Sequence, residues 1–271
     1  MTGWRQENHA RTQTFRRQYL NTVPLVWGML RGEQQGKFDL DFTTPAHCAD
    51  AVHQHKADVG IIPSIEYQRL DRVQILSGMS IAAKNQVRSV LLLSKVPLAK
   101  IQTVAIDNSS RTSAALLRVM MRKFYSRWIT VTPHAPRPDL MLERADAALL
   151  IGDAALTYTG QVAEIYDLAA EWKRFTGLPF VFALWVGHDD RNLTKHHAHF
   201  ANSLQFGLAH LDDIAAEYAP RLGMTAAAVK VYLTENIDYS LDEENRQGLR
   251  LFYKLAHETG IIPVDKALYF A

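Results

Sequence analysis

Residues 103–124, TVAIDNSSRTSAALLRVMMRKF, read as a strand that runs through a polar turn directly into an amphipathic helix, the repeating unit of a layered α/β sheet. Val104 and Ile106 supply alternate β-formers. Asn108, Ser109 and Ser110 are three candidate N-cap residues, and apolar side chains then recur at Leu116, Leu117, Met120, Met121 and Phe124 along one helix face. A helix start carries unpaired N–H groups and about half a positive charge. Ser109, Ser110, Thr112 and Ser113 beside Arg111 therefore form a ready site for a carboxylate or phosphate; the plain alternative is a capped helix.

The same unit recurs in the first third of the chain. Asn21 stands where an apolar stretch turns at Pro24 into a short helix over 26–30, and its amide either caps that helix or serves a ligand as donor and acceptor. FDLDF at 38–42 alternates apolar with acidic, the period of a half-buried strand, and Pro45 opens a helix to about His55. Residues 58–62 form another strand, ending at Pro63-Ser64, where Ser64 can cap the helix that begins at Ile65. This alternation predicts a sheet with parallel strands, whose ligands gather at the carboxyl ends of the strands. Asn21, Ser64 and the 109–113 cluster all occupy that kind of position.

Further along, residues 87–94 make a strongly apolar strand with Arg88 and Ser89 near its start, and 128–131 precede a Pro-rich loop over 133–139 and a short helix over 140–144. Residues 146–152 are a strand ending at Asp153, an N-cap by position. An amphipathic helix from Asp167 stops at Gly-Leu-Pro, and the apolar strand 180–186 that follows reads as a return crossing paired with 87–93. From Asn192 the pattern is helical only, over roughly 192–217, 225–236 and 241–258, with Ser240 and Glu243 at capping-box spacing. Residues 1–17 are polar and basic without a clear period and read as a loose arm or a poorly marked first strand.

Composition narrows the function. With 271 residues, 48% hydrophobic, the chain can bury one large core or two modest ones. Its 30 Lys+Arg against 28 Asp+Glu leave a net charge of only +2, which gives no case for a nucleic-acid surface or a polybasic membrane patch. No segment resembles a signal peptide or reaches the roughly 20 apolar residues of a membrane span, so a cytoplasmic location is expected. Cys48 is the single cysteine; it forms no intramolecular disulfide and reads as a small semi-buried helix residue. His196 and His199 have chelating i, i+3 spacing but no Cys or carboxylate partner at ligand spacing, so a solvated helix face is the reading and no metal is expected. No GxGxxG, P-loop, HExxH or GxSxG motif is present.

Six stretches carry a family resemblance: YLNTVPL, DVGIIPSIEY, VRSVLLLSK, IDNSSRTSAALLR, ADAALLIGDAAL and YDLAAEWKRFTGLPFVFALWV. In this order, over about residues 19–187, they resemble the chorismate dehydratases of the futalosine route to menaquinone; the helical tail is similar in character. The resemblance implies a type II periplasmic-binding-protein-like α/β fold of two lobes, a hinge of two crossing strands and a C-terminal helical segment. Residues 1–90 and 187–271 would form one lobe and 91–186 the other. It implies a hydro-lyase that removes water from chorismate and needs neither metal nor redox cofactor.

By the same resemblance, Ser110, Thr112 and Ser113 bind one substrate carboxylate, with Ser89 and Ser64 contributing from the other lobe. Asn21 lies nearest the chemistry, and Asp153 is either a base or a cap. No His or Glu stands in these motifs as an obvious base, so the substrate's own enolpyruvyl carboxylate is expected to take the proton. The chain departs from the family at Arg16-Arg17-Gln18, where an apolar strand and a Ser are frequent, and at Asn85-Gln86, where Gly-Pro is frequent. Two alternatives stand beside this reading: the dihydroxynaphthoate synthase of the same route, and a non-catalytic small-anion-binding protein.

Overall fold

The computed structural model describes residues 19–271; the basic N-terminal stretch and the departure at 16–18 lie outside them. A 3-10 turn at Leu20–Thr22 enters α1 (Val23–Arg31), followed by α2 (Pro45–His53), β1 (Val59–Pro63), α3 (Ser64–Tyr67) and β2 (Val73–Ala83). Next come β3 (Val90–Ser94), β4 (Thr103–Asp107), α4 (Arg111–Phe124), β5 (Thr130–His134), α5 (Pro138–Arg144), β6 (Ala147–Ile151), α6 (Gly152–Leu156), β7 (Glu164–Asp167) and α7 (Leu168–Thr176). The last third holds β8 (Phe180–His188), α8 (Leu193–Ala209), α9 (Leu211–Leu222), α10 (Ala226–Val231), β9 (Asp238–Leu241) and α11 (Glu243–Glu258).

These elements build two sheets, of order β1-β8-β2-β9 and β5-β4-β6-β3-β7. Parallel pairing was the sequence expectation, and among the described strands it holds where β4 joins β5 and β6, with α4 and α5 as crossovers. The first sheet is antiparallel at each described pairing, because β8 enters between β1 and β2 and runs against both. The four-residue α3 after β1 is too short to return a parallel neighbour, which needs a crossover of about a dozen residues.

Other expectations shift for local reasons. FDLDF forms no strand: Phe38, Leu40 and Phe42 are half-buried against the core and Asp39 and Asp41 are exposed, so the alternation survives without a ladder among the described residues. The C-terminal third is not purely helical, since Tyr239 and Leu241 point inward and β9 pairs with β2. Ser240 does not cap α11. Its hydroxyl bonds Asp238 Oδ1 at 2.8 Å, and Asp242 Oδ1 takes the Asn245 N–H at 2.9 Å instead.

The strands expected to pair as a hinge lie in different sheets, β3 with β6 and β7, β8 with β1 and β2. The chain passes between sheets at 84–89 and at 177–179, and both passages are tied down. Asp167 accepts the N–H groups of Val87 and Arg88 in the first passage and of Ala169 and Ala170 at the start of α7. At the second, Trp172 Nε1 donates to Pro179 O at 3.1 Å, and Gly248 of α11 lies so close that a Cβ there would sit 2.1 Å from the same oxygen. The 90/91 division falls at the start of β3, and the 186/187 division falls inside β8.

Helices α1 and α8 cross at backbone contact. A Cβ on Gly28 would meet Ser203 Cα at 2.5 Å, and one on Gly207 would meet Pro24 O at 2.1 Å. Ser203 fills the remaining space, donating to Leu25 O and accepting from Met29 N. In an open helix Gly→Ala stabilises by about 1 kcal/mol. Here Gly207→Ala is expected to destabilise by about 1–3 kcal/mol, read from urea unfolding, because the methyl must force the two helices apart.

Cys48 is half-buried in α2, and burial pushes its thiol up to about 11, so it is an unreactive packing residue as its sequence setting suggests. No described helix is long and apolar enough to cross a membrane.

Candidate active site

The anion site expected at the start of α4 changes in composition once the side chains are placed. Asp107, at the end of β4, accepts both the N–H and the hydroxyl of Ser109 through Oδ1, which fixes the turn. Ser109 Oγ also shares a 3.0 Å hydrogen bond with Tyr19 OH. Arg111 is not available to a ligand. Its guanidinium bonds Asp50 of α2 at 2.9 and 3.0 Å and Glu66 of α3 at 3.2 Å, so it locks three helices together. Burial alone would lower the pKa of Arg111, and the hydrogen bonds to these carboxylates outweigh it, leaving the pKa raised.

Ser110 occupies the N-cap position of α4 but its side chain makes no capping bond. Its hydroxyl is buried and has no hydrogen-bond partner among the described residues. An unsatisfied buried hydroxyl is costly, by about 1–3 kcal/mol, unless something occupies the space it faces. It stands at the start of a 14-residue helix, where the first-turn amides of Thr112 and Ser113 lack partners within the helix. Thr112 and Ser113 are themselves buried, and Thr112 Oγ1 accepts the Ile65 N–H at 3.2 Å, joining α4 to α3.

The remaining predicted residues divide. Ser64 is fully buried with its hydroxyl committed to Val181 O at 2.8 Å and its carbonyl to Tyr253 OH at 2.6 Å, which makes it a strut between β1 and β8 rather than an open ligand group. Ser89 Oγ accepts from Tyr232 OH at 2.8 Å, and Ser89 O accepts the Gly152 N–H at 2.8 Å. Asp153 does not cap α6, whose N-cap position is Ile151. It reaches across to accept the Leu20 N–H on Oδ1 at 3.1 Å and so holds the turn that carries Asn21. Asn21 is half-buried on that turn.

Tyr232 and Tyr19 are the members that sequence reasoning missed. Tyr232 lies in a short π-helical turn, Tyr232–Asn236, far along the chain from every motif it touches. Tyr19 was quoted only as the first letter of YLNTVPL; its ring lies over Gly152, where a Cβ would come within 2.1 Å of it. Burial raises the Tyr232 pKa well above that of a free phenol, so its hydroxyl is a protonated donor throughout the physiological range. Tyr232→Phe leaves Ser89 without its donor and is expected to cost about 1–2 kcal/mol in urea unfolding.

Four contacts therefore draw the two sheets together around one spot: Tyr19 to Ser109, Leu20 to Asp153, Ile65 to Thr112 and Tyr232 to Ser89. These contacts bring the Asn21 turn and the N-terminus of α4, with its unpartnered Ser110 hydroxyl, to the same side of the two sheets. Such a set holds a carboxylate and donates to a second oxygen nearby.

Comparison with known proteins identifies the family. The chain is 29% identical over 257 residues to a Thermus thermophilus protein named chorismate dehydratase, covering 86% of this chain and 91% of that one. It is 28% identical over 242 residues to a Campylobacter jejuni protein of the same name, covering 87% and 89%. Among solved structures, the periplasmic aliphatic sulphonate binding protein SsuA of Escherichia coli superposes with a TM-score of 0.61 at 14% identity, over 91% of this chain and 86% of that one, which shows the periplasmic-binding-protein fold. The family profile described as Menaquinone biosynthesis matches residues 16–258, and the chain belongs to that family.

Proposed function

We propose that this chain is a chorismate dehydratase, working in the cytoplasm, that eliminates water from chorismate to give the aromatic carboxyvinyloxybenzoate. The observation that carries the reading is the buried, unpartnered Ser110 hydroxyl at the N-terminus of α4, next to Ser109, which Tyr19 at the start of the Asn21 turn contacts. Its support outside the site is the pair of relatives named for this reaction. The substrate lies between a lobe built on β1, β2, β8 and β9 and a lobe built on β3 to β7, the chain changing lobe at 84–89 and 177–179.

In this mechanism the ring carboxylate sits on Ser110 Oγ and the amides of Thr112 and Ser113, stabilised by the helix start. Ser89 works through Tyr232, and Ser64 through the position of α3. Asn21 hydrogen-bonds the leaving ring hydroxyl. The enolpyruvyl carboxylate of the substrate takes the neighbouring ring proton, the C–H electron pair becomes the new ring double bond, and the C–O bond breaks. The carboxylic acid so formed passes that proton to the departing hydroxide, which leaves as water, and the ring becomes aromatic, so the step is strongly downhill. The protein supplies orientation and a donor for the developing charge on oxygen. Asp153 is a positioning residue: its carboxylate holds Leu20 N and with it the placement of Asn21.

The test is incubation of the protein with chorismate, followed by mass-resolved chromatography beside a no-enzyme sample. Enzyme-dependent appearance of a species lighter by one water supports the reading. Survival of chorismate at the no-enzyme rate overturns it.

A further inference from the structure

The far half of α4 and the start of β5 border an open surface pocket of about 280 Å³, lined by Arg118, Arg122, Arg127, Ile129 and Val131. Arg118 and Arg122 are one helical turn apart on the same face, and Arg127 comes round from the loop that follows the helix. None of the three guanidiniums forms an ion pair with a described residue; the nearby Glu258 and Glu66 are taken by Lys123 and by Arg69 and Arg111. Arg122 is held in place by donating to Thr259 O and by lying 3.9 Å from the centre of the Trp128 ring, which is itself 77% exposed.

Like charges gathered without a counter-ion repel, and Arg118 shows it. Burial first, then the charges of Arg122 and Arg69, lower its pKa. Complementing the helix C-terminus accounts for Arg122 in the last turn. It does not account for Arg118, one turn further in, or for Arg127, outside the helix. The chemistry that satisfies three arginines lining one pocket is a tetrahedral oxyanion of multiple charge, bound through N–H···O bonds.

We propose that this pocket is a binding site for a phosphate-bearing anion, separate from the cleft at the other end of α4. The probe is inorganic pyrophosphate, titrated calorimetrically into the full-length protein at constant ionic strength set with chloride. Saturable binding is expected, weakened at least tenfold in Arg127→Gln and lost in Arg118→Gln/Arg127→Gln, with chorismate turnover of both variants unchanged. Arg127 is exposed, so the single variant reports even where the double variant folds poorly. Equal binding by wild type and Arg127→Gln, absence of saturable heat in wild type, or displacement of pyrophosphate by chorismate overturns the proposal.

Discussion

Asn21→Ala is expected to lower kcat for chorismate dehydration by about 10²–10³-fold, the usual cost of removing one preorganised donor from a developing oxyanion, with KM changed little. The split follows from what the residue does in the proposed mechanism. The carboxylate is held at the start of α4, on groups the substitution does not touch, so ground-state binding persists. The amide meets the leaving hydroxyl only as the C–O bond lengthens, so its loss appears in turnover. Asn21 is half-buried on a 3-10 turn whose backbone is fixed from outside by Asp153 and by Tyr19 O, which accepts the Thr22 N–H at 3.0 Å. The unfolding midpoint should therefore move little, which separates a lost donor from a lost fold. Asn21→Asp replaces the donor with an acceptor of equal size and is expected to be at least as slow.

Gly152→Ala is the second large effect, and it acts on structure first. Gly152 has φ +59°, a conformation that costs a residue with a side chain about 1 kcal/mol or more, and its added Cβ would lie 2.1 and 2.2 Å from two carbons of the Tyr19 ring. The ring cannot move without breaking its bond to Ser109 and dragging Leu20 from Asp153, two of the four contacts that hold the sheets together at the site. Strain and overpacking together predict a loss of about 2–5 kcal/mol in urea unfolding, together with most of the turnover. Tyr19→Ala in the same chain removes the clash. The double variant should be more stable than the two single effects added, a coupling that identifies ring contact rather than backbone strain as the larger part.

The sequence made the elements readable where one period ran unbroken. Residues 103–124 gave both β4 and α4, and 167–182 gave α7, its stop at the left-handed Gly177 and the entry to β8, because apolar spacing and a capping or breaking residue agreed at each end. Pairing was less legible. Alternation shows that a strand has a buried face but not which neighbour lies beside it, so the insertion of β8 between β1 and β2 could be read only from the structure. β9 was too short to break a helical pattern around it.

The candidate site followed the same rule. Ser110, Thr112, Ser113 and Asn21 were visible because each stands at the start of a helix, a position with a fixed chemical consequence. What their neighbours do was not visible. Arg111, adjacent in sequence, spends its charge on Asp50 and Glu66, and Ser64, also at a strand's end, is consumed by Val181. Tyr232 reaches Ser89 from 143 positions away, and no local pattern marks a contact of that span.

The most direct test is a crystal structure of the Asn21→Ala protein with chorismate bound, since slow turnover should leave the substrate intact. The account predicts the ring carboxylate within hydrogen-bonding distance of Ser110 Oγ and the amides of Thr112 and Ser113, with the ring hydroxyl directed at the space left by the Asn21 side chain. Chorismate bound with its carboxylates away from the start of α4, or the Ser110 hydroxyl still unpartnered in the occupied complex, would contradict it.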